Sequence, residues 1–405
     1  MKANPTSRVI VALGLLAVIV VSFTASPANG QIFKIPYADT SAASAFGVSV
    51  AIDGNRALVG ASAENNCGPN SGAVYVFERD SELETWVQMA RLTPRDCVEG
   101  DFFGHGLSLS GNRALITASG NLTSRNASNA AYVFERDSTS GEWVEAAKIV
   151  DERKEEEGSF AASVSLDGDR ALITTSGDPI RHRYAGAAYI YERHPVSGRW
   201  IRSARLSGSG GLAQGVFGGN AALDGDVAVI TSSMYYREKP GSIYVFERDP
   251  STDTWHEAKR FGGIDDILIS VDISHGRILV GESRDGDHES GAATLYEKTD
   301  AGEWTLSQTL HPRVPYKHGA FGSEVSFDGD SALIAGYDEQ LGKNFNIDRV
   351  VYEFKRKPDG EWTQRRIFDV GAVAFGYSLA ASGEFAVIGE HSDQEPGAAY
   401  VVRLR

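Results

Sequence analysis

The chain is short of the residue sets that mark the common catalytic and metal-binding designs. Its 405 residues hold two cysteines and three methionines, so no paired CxxC zinc or redox motif is present. Neither a phosphate-cradling GxxxxGK[ST] segment nor an HExxH helix occurs. Positive charge is also scarce: 39 Lys and Arg face 54 Asp and Glu, a net charge of −15. Such a surface repels nucleic acid and anionic lipid through its long-range field, so neither is expected as a partner. Long apolar runs are absent after the first thirty residues, and no membrane insertion is expected there.

The one apolar run is VIVALGLLAVIVV at 9–21, behind Lys2 and Arg8 and ahead of the small-residue stretch Ala25–Gly30. Thirteen residues are too few to span a bilayer comfortably, so 1–30 reads as a secretory leader, with an uncleaved anchor as the alternative. Cleavage would leave 37 basic against 54 acidic residues, and a secreted, periplasmic or cell-surface protein. Asn121-Leu-Thr and Asn126-Ala-Ser are glycan acceptor sequons, of consequence only in a glycosylating source.

What fills residues 31–405 is repetition. FGVSVAIDGNRALVG at 46–60 recurs with variations that begin at Phe46, Phe103, Phe160, Phe217, Ile267, Phe321 and Phe375, spaced by 57, 57, 57, 50, 54 and 54 residues. Periods near 50 point to propellers or arrays. Each unit reads as strand a (VSVAI), a Gly-containing turn (IDGN, LDGD, FDGD), strand b (ALVGA), a variable loop, strand c (AVYVFER) and strand d opening on tryptophan (WVQMARL). Strands a to c are nearly continuously apolar, as expected where both sheet faces are covered by neighbouring sheets. The fold class is therefore all-β: one seven-bladed β-propeller of four-stranded antiparallel blades, expected as a monomer.

All six tryptophans, Trp86, Trp143, Trp200, Trp255, Trp304 and Trp362, open strand d of units one to six and read as packing anchors. The seventh unit ends after strand c. Phe33 precedes Phe46 by 13 residues as Trp362 precedes Phe375, so FKIPY at 33–37 is expected to complete the last blade and close the ring.

FGxSVAxDGxxALVG followed by GAxYVFER and a strand-d tryptophan resembles the bacterial FG-GAP repeat, a relative of the repeats in integrin α-subunit propellers, over essentially all of 31–405. The resemblance implies a binding or adhesion scaffold and leaves activity open. Integrin-type units carry a calcium loop of the form DxDxDGxxD between strands a and b. Here that segment is cut to turns such as Asp53-Gly54-Asn55 and Asp167-Gly168-Asp169, too few carboxylates to wrap a calcium ion. These aspartates read as turn residues, and no metal or cofactor is expected.

Cys67 lies in the b–c loop of unit one and Cys97 in the d–a loop leaving it, connections that a meander brings to one rim; a disulfide is expected. Ser49, Ser163, Ser270 and Ser378 recur at one strand-a position, so Gly376-Tyr-Ser378-Leu-Ala380 reads as packing rather than a nucleophile elbow. His182, His288, His311, His318 and His391 are placed on the loop rim without metal-ligand spacing.

The b–c loops differ most. Arg181, His182, Arg183 and Tyr184 in unit three, with Tyr235, Tyr236 and Arg237 in unit four, form the candidate ligand patch, since Arg and Tyr combine area with directed hydrogen bonds. No catalytic residue is singled out. The expected function is a non-catalytic recognition or adhesion module for a protein or glycan, working through the b–c/d–a rim. The alternatives are a carbohydrate-active hydrolase or lyase with carboxylates gathered from several blades, and a structural subunit of an envelope assembly.

Overall fold

Twenty-eight strands, β1 to β28 in chain order, form seven four-stranded antiparallel sheets, and no helix occurs among the described residues. The computed structural model describes residues 32–37, 44–120, 129–151, 160–175, 186–209, 216–233, 241–264, 269–283, 290–338, 348–391 and 397–404. The segment 1–30 read as a leader, the sequons, and the patch at 181–184 and 235–237 lie outside them. Blades 1 to 6 are meanders within 46–92, 103–150, 160–206, 216–264, 269–310 and 325–368. Blade 7 has the order β1-β28-β27-β26, made of Ile32–Lys34, Ala398–Arg403, Phe385–Glu390 and Phe375–Ser382. The N-terminal segment is thus its outer strand, with Ile32 opposite Val402 and Lys34 opposite Tyr400. That strand is shorter than FKIPY; one further backbone bond, Ile35 N–H to Ala399 at 2.8 Å, extends it.

Strand b of every blade is buried along its middle, because each sheet is covered on both faces by its neighbours. The apolar core accordingly lies between blades. Phe46, Val59 and Phe77 of blade 1 pack on Val387, Ala399 and Val401 of blade 7, and the same kind of layer recurs at the other six junctions. The tryptophans divide into two groups. Trp86, Trp304 and Trp362 are buried, whereas Trp143, Trp200 and Trp255 are half-buried. Arginines from the preceding blade cover two of the half-buried rings: Arg56 lies 5.5 Å from the Trp143 ring and Arg170 lies 5.6 Å from that of Trp255.

The glycine of the FG pair has a definite task. Gly47 has φ +87°, and a Cβ there would sit 2.1 Å from the Ala398 carbonyl oxygen of the neighbouring blade. Only glycine permits that approach in the left-handed region.

The turn aspartates do more than turn. Asp53, Ser110, Asp167, Asp224, Ser274 and Asp328 each accept the backbone N–H of the turn glycine in the next blade, and Ser382 accepts that of Gly54 across the closure. All seven bonds fall between 2.5 and 3.4 Å. The recurrent strand-a serines likewise reach across blades. The Ser49 hydroxyl donates to the Gly104 carbonyl at 2.6 Å and that of Ser378 to Gly47 at 3.0 Å, while Ser163 accepts from Ala221 N–H at 3.2 Å. Packing alone does not account for them.

Cys67 and Cys97 form the expected disulfide, with Cα atoms 6.0 Å apart. Serine at both positions should cost about 3–4 kcal/mol in the loop-entropy account, read by denaturant unfolding. Asp167→Ala breaks one inter-blade bond and should cost about 1 kcal/mol. Deleting 32–37 should cost far more and lower cooperativity, because it uncovers the blade 7 edge; equal effects of the two changes would contradict the closure described here.

Candidate functional site

Seven copies of strand a surround an axial channel of about 1600 Å3. The a–b turns form one mouth, where the seven turn bonds tie adjacent blades together. The opposite mouth receives the starts of the a strands and the b–c and d–a connections, and there the repeat is broken. At the position two residues after the unit's leading Phe, blade 1 has Val48 and blade 3 has Ala162, but blade 2 has His105 and blade 7 has Tyr377. Tyr337, at the end of strand b of blade 6, pairs in register with Arg349 at the start of strand c. All four of these polar side chains line the channel.

Arg349 is the centre of this group. Its guanidinium lies 5.9 Å from the ring centroids of both Tyr337 and Tyr377 and donates to the Ser323 hydroxyl at 3.0 Å. Its Nε is buried without an acceptor. Burial pulls the guanidinium below its ordinary value, opposed by the nearby Tyr337, Glu324 and Tyr377. The Tyr377 ring is 42% exposed and meets His391 edge-on at 4.9 Å. Burial, and secondarily the proximity of His391, pushes the His105 imidazole below its usual value.

Two carboxyls stand deeper in the wall, both in places where other blades carry small or neutral residues. Glu324 occupies the register of Ser49, Ser163, Ser270 and Ser378. Asp272 occupies that of Ala51, Ser108, Ser165 and Ser326. Each is pushed up to about 7, chiefly by burial. Both keep part of their surface and line the channel. Glu324 is pulled back by Arg349 and a hydrogen bond from Ser270, and pushed further up by Asp272. Asp272 accepts the backbone N–H groups of Phe327 and Ile273, both at 2.8 Å, and the Ser326 hydroxyl at 3.4 Å. It therefore acts as an inter-blade latch in the way Ser108 does, whose hydroxyl accepts Leu166 N–H at 2.9 Å.

Sequence reasoning placed His391 and His318 on this rim, and His318 lines the channel. It passed over Arg349, Glu324, Asp272, Tyr377 and His105. Their signal was available in the aligned units, as charged or aromatic residues at positions where the other blades carry serine or small residues. Whether 181–184 and 235–237 approach the same mouth lies outside the described residues. Among the described residues, no group of three or more His, Cys, Asp or Glu is placed to hold a metal ion.

An all-β ring of seven antiparallel blades around an open channel defines a β-propeller. The family model of the FG-GAP repeat matches residues 30–77, 86–134 and 143–191. Those three matches and the seven blades fit an FG-GAP repeat β-propeller. Each match begins at the outer strand of one blade and ends in strand c of the next, the same offset that leaves β1 to finish blade 7. No curated protein matches the chain. A solved structure, that of a hypothetical selenium-binding protein from Sulfolobus tokodaii, is similar at 9% identity over 78% of this chain and 75% of that one, with a TM-score of 0.48.

The raised carboxyls give stability a defined pH dependence. Between its unfolded value near 4.5 and about 7, Glu324 holds its proton in the folded chain and loses it in the unfolded one. Stability should therefore be greatest at the acid end of that window and fall as pH rises through it. Glu324→Gln should flatten the slope and raise stability at pH 8 by roughly 1–3 kcal/mol relative to the parent. Asp272→Ser, which keeps the latch acceptor, should remove most of the remainder. Denaturant unfolding at pH 5 and pH 8 reads both, and an unchanged slope in the double variant would refute the assignment.

Proposed function

We propose that this protein is an exported, monomeric, non-catalytic recognition module that binds a protein or glycan at the cell exterior through its b–c/d–a loop rim. The observation that carries this reading is the asymmetry between the two faces. On the a–b turn face the seven turn side chains are committed to holding adjacent blades together. On the opposite face the units diverge in length and chemistry, and the residues that break the repeat collect at the channel mouth. Propellers present variable loops on a rigid ring, the usual arrangement for recognition. The leader-like segment at 1–30 and the Cys67–Cys97 bridge support an oxidising, extracytoplasmic setting. Arg181, His182, Arg183, Tyr184, Tyr235, Tyr236 and Arg237 remain the candidate contact residues on the rim.

A hydrolase or lyase reading has one observation in its favour, the pair of raised carboxyls, Glu324 and Asp272. Asp272 accepts three donors from its own and the neighbouring blade, so its place in the wall is accounted for by its work as an inter-blade latch.

The test is an array of glycans and secreted proteins probed with the protein and with variants whose segments 181–184 and 234–237 are replaced by Gly-Ser. Specific capture that is lost on replacement is expected. Turnover of a glycoside, ester or peptide substrate that disappears in Glu324→Gln would overturn the non-catalytic reading.

A further inference from the structure

Within this rim, and resting on the recognition reading, the geometry points to a particular site. We propose that the channel mouth between blades 6 and 7 binds a single uronate residue carried on an otherwise neutral glycan, with Arg349 receiving the sugar carboxylate.

The first observation is an arginine that faces a carboxyl, Glu324, but makes no ion-pair contact with one. Elsewhere in the ring, arginines of comparable burial are paired: Arg56 with Glu78 at 2.8 Å, Arg113 with Glu135 at 3.1 Å and Arg170 with Glu192 at 3.1 Å. Arg349 has no such partner within 4 Å among the described residues; its one hydrogen bond goes to Ser323, and its Nε is buried without an acceptor. A desolvated guanidinium with open donors is costly unless an anion completes it, and its planar fork matches a carboxylate in two parallel bonds.

The second observation is what surrounds it. Tyr337 and Tyr377 each place a ring centroid 5.9 Å from the guanidinium carbon. Tyr377 is exposed and lines the channel, an aromatic side chain suited to the C–H face of a pyranose, and Ser323 lines the same channel with a hydroxyl. The channel behind holds about 1600 Å3, room for more than an isolated ion.

The third observation selects among anions. Glu324 faces Arg349 from strand a of blade 6, with Asp272 behind it in blade 5, His105 across the channel in blade 2, His318 before blade 6 and His391 in blade 7. A dianionic phosphate would meet the repulsion of both acids in a molecule of net charge −15, whereas a monoanionic carboxylate meets less. Protonation of Glu324 relieves that repulsion while a uronate keeps its charge, so affinity rises as pH falls from 8 to 6.

The experiment is calorimetric titration of the protein with a galactose oligosaccharide that ends in one galacturonate, its neutral galactose counterpart, inorganic phosphate, and a peptide with a free or an amidated C-terminus. The sugar with one galacturonate is expected to bind, more tightly at pH 6 than at pH 8, and the neutral sugar to fail. Arg349→Gln should weaken binding by about 30-fold or more, the loss typical of removing one member of a desolvated charge pair. Tyr377→Ala alters an exposed side chain, leaves folding intact and should weaken binding by about 5-fold. Glu324→Gln should bind at least as well as the parent and lose the pH dependence. Equal affinity for the neutral sugar, preference for phosphate or for the free peptide C-terminus, or unchanged binding in folded Arg349→Gln and Tyr377→Ala chains would overturn the site. An array hit that needs the replaced loops but ignores Arg349→Gln would also overturn it while the rim reading stands. A blank array would sink the rim reading itself.

Discussion

The structure depends on a closed cycle of side chain to backbone hydrogen bonds. At each a–b turn one oxygen, from Asp or Ser, accepts the N–H of the glycine in the following blade, and the seventh returns to the first. An individual bond of this kind contributes about 1 kcal/mol, a small amount beside the apolar layers between blades. Its significance is geometric. A cycle cannot tolerate an accumulating error in blade spacing, because the last turn must meet the first within hydrogen-bond distance. The glycine at each turn satisfies two demands at once: it takes the left-handed backbone conformation, and it leaves its N–H accessible to a neighbouring oxygen.

The offset between sequence unit and blade follows from the same cycle. The family matches run from an outer strand through the inner strands of the next blade, so every covalent unit is shared between two sheets. Blade 7 is the one place where that sharing is non-covalent, resting on the Ile32–Lys34 pairing and on the layer in which Val401 meets Phe46. Hairpin periodicity, tryptophan spacing and the Phe33 to Phe46 interval made this closure legible before any coordinates. So did the pairing of Cys67 with Cys97, because a four-strand meander leaves only two ends on which a loop can emerge.

Legibility stopped where meaning passed between blades. Asp167 looks like a turn former when its neighbours in sequence are considered. Its actual partner, Gly225, is 58 residues away. Ser49 looks like a small packing residue until the Gly104 carbonyl is seen beside it. The candidate site was less visible still, since Arg349 and Tyr337 flank a loop whose length varies from unit to unit, and Glu324 and Asp272 register as anomalies only against a correct seven-fold alignment. The Arg and Tyr residues at 181–184 and 235–237 drew notice because they are adjacent in sequence, whereas the channel-mouth group is assembled from blades 2, 6 and 7.

The position of the anomalies also explains how a ring this constrained can carry chemistry. Strand a has two kinds of work along its length. Near the turn, its side chains must hand bonds to the next blade, and a change there breaks the cycle. Near the loop mouth the same strand is released from that duty, because blade contact is maintained by the FG backbone, as at Gly47 against Ala398. His105 and Tyr377 sit in that released segment, two residues beyond the phenylalanine. Glu324 lies one step deeper, at the border, where Ser270 still donates to it and Arg349 already faces it. Asp272 lies deeper again and is fully enlisted as a latch. The gradient along a single strand, from bound acceptor to channel-lining group, gives one end of the propeller over to holding the ring together and leaves the other open to residues that break the repeat.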